Sequence, residues 1–267
     1  MTSASPRTVL ITGGCGGVGR ALVDRFSAAG DEVWFTYLPG REDPAAVADR
    51  LADNPPRPLP LDLRDDVSID RLAKSGPAAV DVLIHNAALG SATVRALPGS
   101  SHDHDRALFE VNAAGILWLN EIFLPGMVTR NRGSVILFSS VGGGITHFPG
   151  FSYADEMSKA AVAFLGRMLA SELSGTEVNV ITVCPGATRT PMFEASTLSG
   201  LDDEQRRSFL GALPKGRLID PVELADLVAL LCSPTGALLH GAVVDASLGL
   251  GVSPHRLSRA KAASSTV

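Results

Sequence analysis

The sequence predicts a doubly wound α/β fold, in which helices cover both faces of a seven-stranded parallel sheet. Three observations predict it. Strand-like and helix-like segments alternate along the 267 residues, a pattern typical of α/β domains. The strand-like segments are continuous apolar runs, as strands buried on both faces require. A glycine-rich turn, TGGCGGVGR, joins the first strand to the first helix.

Seven strands are predicted from β-branched and other apolar runs bounded by glycine, proline or polar residues. They span 8–14, 32–37, 59–63, 80–87, 134–140, 178–186 and 241–246. The helices between them are predicted from apolar residues at helical spacing. They span 20–30, 44–53, 67–74, roughly 103–128, 158–173 and 221–233. No linker or repeat interrupts this order, so we expect one domain over residues 1–255, followed by a loose tail at 256–267.

Composition limits the classes of partner. The chain is 45% apolar and carries a net charge of −5, with a pI near 5.7 and no long basic run, so nucleic acid is not an expected partner. Three scattered cysteines suggest neither a disulfide framework nor a metal site. The first residues lack an apolar signal core, and no apolar run approaches about 18 residues. We therefore expect a cytoplasmic protein without a membrane partner.

The glycine-rich turn fits two dinucleotide-binding patterns, G-x-G-x-x-G at 14–19 and T-G-x-x-x-G-x-G at 12–19. Glycines let backbone N–H groups approach a phosphate, and the N-terminus of the following helix attracts its negative charge. Either pattern is weak alone, but its position in the first βαβ unit favours dinucleotide binding.

Further motifs follow in order along the chain. They are HNAA (85–88), VNAAG (111–115), SVILFSS (134–140), CPGATRTPM (184–192) and GAVVDASLG (241–249). With the glycine turn, they make residues from about 7 to 250 resemble the short-chain dehydrogenase/reductase family. His85 and Ala88 depart from that family's N-N-A-G, and Asp245-Ala246-Ser247 departs from its D-G-G.

The resemblance implies a Rossmann-like fold, a nicotinamide dinucleotide cofactor, and hydride transfer between the nicotinamide and a carbonyl or alcohol carbon. By position, the implied cofactor-binding residues are Thr12, Gly13, Cys15, Gly17, Val18, Gly19, Arg41, Asp62, Leu63, Asn86, Ala87, Lys159, Pro185, Gly186, Thr188 and Thr190. The implied catalytic residues are Asn112, Ser140, Tyr153 and Lys159.

The resemblance also implies the role of each catalytic residue. Tyr153 would be the acid, since a neighbouring ammonium can lower a phenol pKa from about 10 toward working pH. Lys159 would supply that ammonium and hold the ribose, Ser140 would position the substrate oxygen, and Asn112 would bind a water that links the lysine to solvent. Ser140 and Tyr153 are 13 residues apart, the family's usual separation. Ser139 is the neighbour of Ser140 on the predicted strand, and its side chain is expected to point to the opposite face.

The spacing of Tyr153 and Lys159 departs from the family. The two residues are six apart, whereas the family usually has four. On a regular helix, six residues place side chains about 120° apart around the axis and roughly 9 Å along it. Both could then reach one site only if the backbone left the helix between them.

Three interpretations remain open. In the first, two residues are inserted locally, the helix begins near Asp155 and Tyr153 lies on the preceding turn; a related enoyl reductase subfamily also has a wider spacing. In the second, the helix is regular and Asp155 takes the tyrosine position, which favours a non-redox or silent dinucleotide-binding protein. In the third, His147, Asp155 or Glu156 supplies a new acid or base.

The cofactor is expected to be NADP rather than NAD. An NAD enzyme normally has an acidic residue at the end of the second strand, but Thr36, Tyr37 and Leu38 stand there, and Arg41 follows. An arginine can meet the 2′-phosphate of NADP. The basic residue that many NADP-dependent members carry inside the glycine turn is absent, because Gly16 takes that position.

The remaining predictions concern substrate and assembly. Residues from about 190 to 217 lie where the family places its substrate lid, and their mixed apolar and charged pattern predicts a short helical pair and a moderately apolar substrate. The helical run AAVAFLGRMLASEL is apolar on more than one face. The resemblance therefore implies a homodimer or homotetramer. The predicted function is an NADP(H)-dependent carbonyl reductase or alcohol dehydrogenase acting on a ketone or secondary alcohol.

Overall fold

The structure is a computed structural model that describes residues 6–51, 54–148 and 151–255. The predicted tail at 256–267 lies outside the described residues. Seven strands form one sheet: β1 Thr8–Ile11, β2 Glu32–Tyr37, β3 Arg57–Pro60, β4 Val82–His85, β5 Gly133–Phe138, β6 Val178–Pro185 and β7 Val243–Ala246. All neighbouring pairs are parallel, in the order β3-β2-β1-β4-β5-β6-β7. The predicted doubly wound sheet is confirmed.

The helices cover both faces of the sheet. They are α1 Gly17–Ala28, α2 Ala45–Ala48, α3 Asp66–Ser75, α4 Ser91–Arg95, α5 Ser101–Phe109, α6 Gly115–Thr129, α7 Val141–Gly144, α8 Tyr153–Leu173, α9 Pro191–Phe193, α10 Asp203–Ala212 and α11 Pro221–Leu231. Single π-helical turns, Glu110–Ala114 and Glu194–Leu198, and 3₁₀ turns, Pro214–Gly216 and Pro234–Leu239, complete the described elements. α9, the second π turn and α10 form the helical pair expected around 190–217.

Two large apolar clusters lie on opposite faces of the sheet. One packs α3, α6 and α8 against the strands, with Leu119 and Val162 fully buried. The other packs α1 and α11 there, with Phe26 and Val228 fully buried. Burial of an aliphatic or aromatic side chain of this size contributes about 1.5–3 kcal/mol to folding. These layers fix the carboxyl ends of the strands, where the polar loops meet.

The long helix predicted at 103–128 is confirmed with one irregularity. It runs as α5, the π turn Glu110–Ala114 and α6. Among the described residues, one run, Ser101–Thr129, is long and apolar enough to span a membrane by length and composition. Core helices pass the same test, and Ile116, Leu119 and Met127 of this run are buried in the cluster over the sheet.

Candidate active site

A cleft of about 930 Å³ opens at the carboxyl ends of the strands, within the size range of ligand pockets. It extends from the loop after β2, across the glycine turn, to the loop after β5 and the start of α8. In doubly wound sheets, ligands bind at this edge, where the strand order reverses. The reversal lies between β1 and β4, and the glycine turn follows β1.

The glycine turn is built for close backbone approach. Gly13 has a φ of +69°, and a Cβ there would lie 2.9 Å from the Cα of Ala87. A Cβ on Gly17 would lie 2.8 Å from the Thr190 side chain, and one on Gly19 would overlap the Gly13 carbonyl. Larger residues at these positions would therefore clash with Ala87, Thr190 or the turn itself. The arrangement fits the pyrophosphate of a dinucleotide.

Thr12 and Asn86 hold this turn against the loop after β4. The Thr12 hydroxyl oxygen accepts hydrogen bonds from the N–H groups of Asn86 and Ala87, both at 3.0 Å. The Asn86 amide donates to the carbonyls of Thr12 at 2.9 Å and Gly13 at 3.1 Å. Thr12 is 2% exposed and supports the cleft from behind instead of lining it.

The other predicted cofactor-binding residues line the cleft. They are Gly13, Cys15, Gly17, Val18, Gly19, Arg41, Asp62, Leu63, Asn86, Ala87, Lys159, Pro185, Gly186, Thr188 and Thr190. Cys15 has its thiol pKa raised to about 11 by burial, so the thiol is uncharged near neutrality. The structure therefore brings together groups from five loops that the sequence predicted one at a time.

Three arginines line the cleft: Arg41 follows β2, Arg64 follows β3 and pairs with Asp62 at 3.5 Å, and Arg95 ends α4. Arg41 donates a 3.5 Å hydrogen bond to the carbonyl of Ala96, the residue that follows α4. Glu42 also lines the cleft, but its carboxylate accepts a 2.6 Å bond from the Leu38 N–H of its own loop. Sequence reasoning found Arg41 and missed Arg64 and Arg95. Arg64 had a local signal, two residues beyond Asp62, whereas Arg95 had none.

The two serines at the end of β5 have different environments. Ser139 is 5% exposed, and its hydroxyl donates a 2.7 Å hydrogen bond to the carbonyl of Lys159. The Ser140 hydroxyl accepts a 3.2 Å bond from the Gly142 N–H at the start of α7, and Ser140 is partly exposed in the cleft. The structure thus places Ser140, the predicted choice, where it can meet a ligand.

Lys159 lies on the buried side of α8 and is 9% exposed. Its Nζ donates to the carbonyl of Phe138 at 3.5 Å, a weak contact for an ammonium. Burial lowers the pKa of Lys159, and the negative charge of Asp155, one helical turn earlier, acts in the opposite direction.

Asn112 lies in the π turn between α5 and α6 and is 1% exposed. Its amide nitrogen donates to the Leu89 carbonyl and the Ser158 hydroxyl, both at 3.0 Å, and its amide oxygen accepts from the Leu89 N–H at 2.8 Å. Both amide hydrogens are therefore used. Asn112 does not line the cleft; it ties α8 to the loop after β4, and its water-binding role stays a prediction.

The start of α8 is regular, which contradicts the first of the three interpretations, in which the helix begins near Asp155. Ser152 caps the helix by accepting a hydrogen bond from the Asp155 N–H at 3.3 Å, and the helix runs unbroken from Tyr153 to Leu173. Tyr153 is 77% exposed and does not line the cleft. Its ring lies beside that of His147, with centroids 6.4 Å apart. The N-cap serine, not Asp155, decides where this helix begins.

Comparisons with known proteins agree with this fold and cleft. Residues 7–199 match the model of the short chain dehydrogenase family. The chain belongs to the short-chain dehydrogenase/reductase family.

Relatives and solved structures of this family cover nearly the whole chain. Oxidoreductase UcpA of Salmonella typhimurium is 31% identical, over 90% of this chain and 93% of its own. The 3-oxoacyl-[acyl-carrier-protein] reductase FabG of Vibrio cholerae is 30% identical, over 91% and 97%. A variant of actinorhodin polyketide ketoreductase with NADPH has a TM-score of 0.82 at 25% identity, over 94% and 99%. The Pseudomonas aeruginosa RhlG/NADP complex has a TM-score of 0.80 at 28% identity, over 92% and 96%.

Within the family frame, Asp155 takes the helical position four residues before Lys159, where the family usually has tyrosine. Asp155 lines the cleft together with Ser140 and Lys159. Its Oδ2 atom accepts hydrogen bonds from the N–H and the hydroxyl of Ser91, at 3.1 and 2.7 Å. These bonds hold the first residue of α4 against α8. The geometry corresponds to the second of the three interpretations.

Glu156, the neighbouring carboxylate, fastens the loop after α7. Its Oε2 pairs with His147 Nδ1 at 2.5 Å, and its Oε1 accepts from the Phe148 N–H at 3.1 Å. A Cβ on Gly143, whose φ is +84°, would overlap the Glu156 carbonyl. The glycines of α7 are therefore required for this close packing. His147 does not line the cleft, whereas Asp155 and Glu156 do.

Proposed function

We propose that this protein is an NADP(H)-dependent oxidoreductase that transfers hydride between the nicotinamide and a substrate carbon held beside Ser140. One observation carries the proposal: a single cleft joins the glycine turn to Ser140 and Lys159. The dinucleotide would lie across the strand-order reversal, with its pyrophosphate at the N-terminus of α1. The NADPH and NADP in the names of two structural neighbours support the same cofactor.

The preference for NADP over NAD rests on charge. Arg41, Arg64 and Arg95 line the cleft, and arginine is the residue best suited to a phosphate group. The nearby Glu42 is bonded to its own loop and is less available to ribose hydroxyls. We expect NADPH to bind more tightly than NADH, as measured by quenching of protein fluorescence or by calorimetry.

The substrate predicted from the family is a ketone or secondary alcohol of moderately apolar character. The names of two relatives, a 3-oxoacyl reductase and a ketoreductase, keep this class first in a screen. Phe148, Met192 and Phe193 line the cleft and support an apolar substrate. Tyr153, however, is not in a position to protonate a substrate oxygen, so its catalytic role is not proposed.

The decisive experiment follows NADPH oxidation with a panel of ketones, for the parent and for Tyr153→Phe. We expect equal rates, because the phenol lies outside the cleft. A loss of about a hundredfold or more, typical when a general acid is removed, would restore Tyr153 to the mechanism. The alternative function is a non-redox enzyme or a silent dinucleotide-binding subunit, and the position of Tyr153 outside the cleft is an argument for it. Binding of NADPH without its oxidation by any substrate would favour this alternative.

The predicted homodimer or homotetramer also stays a proposal, now with a candidate surface. Tyr153, Met157, Phe164 and Met168 form an exposed stripe along one side of α8. Apolar stripes of this kind are commonly covered by another subunit. Light scattering would give the oligomeric state, and Phe164→Glu should shift it toward the monomer. The cytoplasmic location remains a prediction.

A further inference from the structure

Asp155 stands where reduction of a ketone needs a proton donor. Both Ser91 donors bind its Oδ2 atom. Its Oδ1 atom accepts no hydrogen bond from the residues that the structure describes, although Asp155 lines the cleft with Ser140. One carboxylate oxygen is therefore left to face a ligand at the reacting end of the cleft.

We propose that the substrate in the reductive direction is a nitrogen cation, an iminium ion, and that the substrate in the oxidative direction is the corresponding neutral amine. The inference rests on the proposed hydride transfer and names its substrate class. NADPH gives a hydride to the iminium carbon, the C=N π pair moves to nitrogen, and a neutral amine and NADP⁺ result. The reaction balances without a proton, so it does not need the displaced phenol.

The charges of the cleft fit this substrate better than a ketone. Reduction of a ketone builds negative charge on oxygen, which a facing carboxylate opposes. An iminium ion carries positive charge that the same carboxylate attracts. Lys159 lies one turn further along α8; burial lowers its pKa, and the negative charge of Asp155 acts in the opposite direction. Phe148 and Phe193 also line the cleft, but their rings pack against Phe151 and Phe209, so the carboxylate is the group offered to the cation.

A purely structural role for Asp155 predicts a different outcome. If Asp155 only holds α4 in place through its hydrogen bonds with Ser91, then Ser91→Ala should impair reduction of every substrate alike. As a partner of the substrate charge, Asp155 would act on cations alone, and Ser91→Ala would keep that selectivity. The two roles are distinguished by how the loss of activity depends on the charge of the substrate, not by the loss of total activity.

The test uses matched probes, one permanently charged and one neutral. NADPH oxidation is measured with N-methyl-3,4-dihydroisoquinolinium and 1-tetralone, and with the smaller pair N-methylpyrrolinium and cyclopentanone. The variants are Asp155→Asn, Ser91→Ala, and Asp105→Asn as a control that removes one exposed charge from α5. If Asp155→Asn does not fold, Asp155→Ser replaces it. NADPH binding is measured on every preparation.

We expect kcat/KM for a cation to exceed that for its ketone at least tenfold in the parent. Asp155→Asn should lower the cation value at least tenfold and the ketone value far less, and Asp105→Asn should change neither. A parent that prefers the ketones, a variant that loses both alike, or NADPH binding without reduction of either cation would overturn the inference and leave dinucleotide binding intact. Failure to bind NADPH would overturn the proposed function, and this inference with it.

Discussion

His85 should make the stability of this protein depend on pH in a way that one substitution removes. The residue ends β4, is 3% exposed, and its Nε2 lies 2.9 Å from the amide oxygen of Asn120. Its Nδ1 is buried and lacks a hydrogen-bond partner among the described residues. Burial lowers the pKa of His85 to about 4, whereas the bond to Asn120 acts in the opposite direction.

The sign and size follow from linkage. The unfolded histidine takes up a proton as pH falls through about 6.5, but the folded one stays neutral until about pH 4. Protonation therefore favours the unfolded chain between these values, and the free energy of unfolding falls as pH falls. The full difference of pKa amounts to about 3 kcal/mol, most of which is already lost at pH 4.5.

The measurement is urea unfolding of the parent and of His85→Asn at pH 7.5 and pH 4.5. Asparagine does not titrate, so the parent should lose about 2–3 kcal/mol more than the variant between the two pH values. Other titrating groups contribute equally to both proteins and cancel in the comparison. Equal losses would show that the His85 ring is not held neutral in the folded protein.

Two further substitutions test the packing around the cleft. Gly143→Ala should lower the free energy of unfolding by at least about 1–3 kcal/mol, since residue 143 has positive φ and no room for a Cβ. Gly175→Ala, with open space around it, is the matched control and should change stability by less than about 1 kcal/mol. Asn112→Ala should lower the free energy of unfolding by about 2–4 kcal/mol, because it leaves buried polar groups of Leu89 and Ser158 without their hydrogen-bond partner. Thermal and urea unfolding check all three, and a neutral Asn112→Ala would contradict the hydrogen-bond assignment.

Features that depend on residues close together in the sequence were predictable from it. The strands followed from apolar runs, and the glycine turn followed from the spacing of Gly13, Gly17 and Gly19. Both are local consequences of backbone geometry and burial. The predicted first strand, 8–14, was longer than the observed Thr8–Ile11, because the prediction included Thr12 and the first glycines, which belong to the turn.

The reacting end of the site was not predictable in the same way. The distance from Ser140 to Tyr153 favoured one register for the tyrosine, and the distance to Lys159 favoured another. The deciding interaction is the Ser152 cap, whose competitor, Asp155, is an equally good capping residue by type. Asp155 is instead engaged by Ser91, 64 residues away in the chain, and no local pattern reports such a contact. The same holds for Arg95 and for the pair of His85 with Asn120.

The short helix α4 lies between two parts of the cleft. Its five residues extend about 7–8 Å, and its first turn is fastened to Asp155 while the residue at its other end receives the hydrogen bond of Arg41. A helix this short is a single rigid turn or so and does not bend along its length. One short helix therefore contacts both Asp155 at one end and the Arg41 side chain at the other, so residues from both parts of the cleft share a single supporting element.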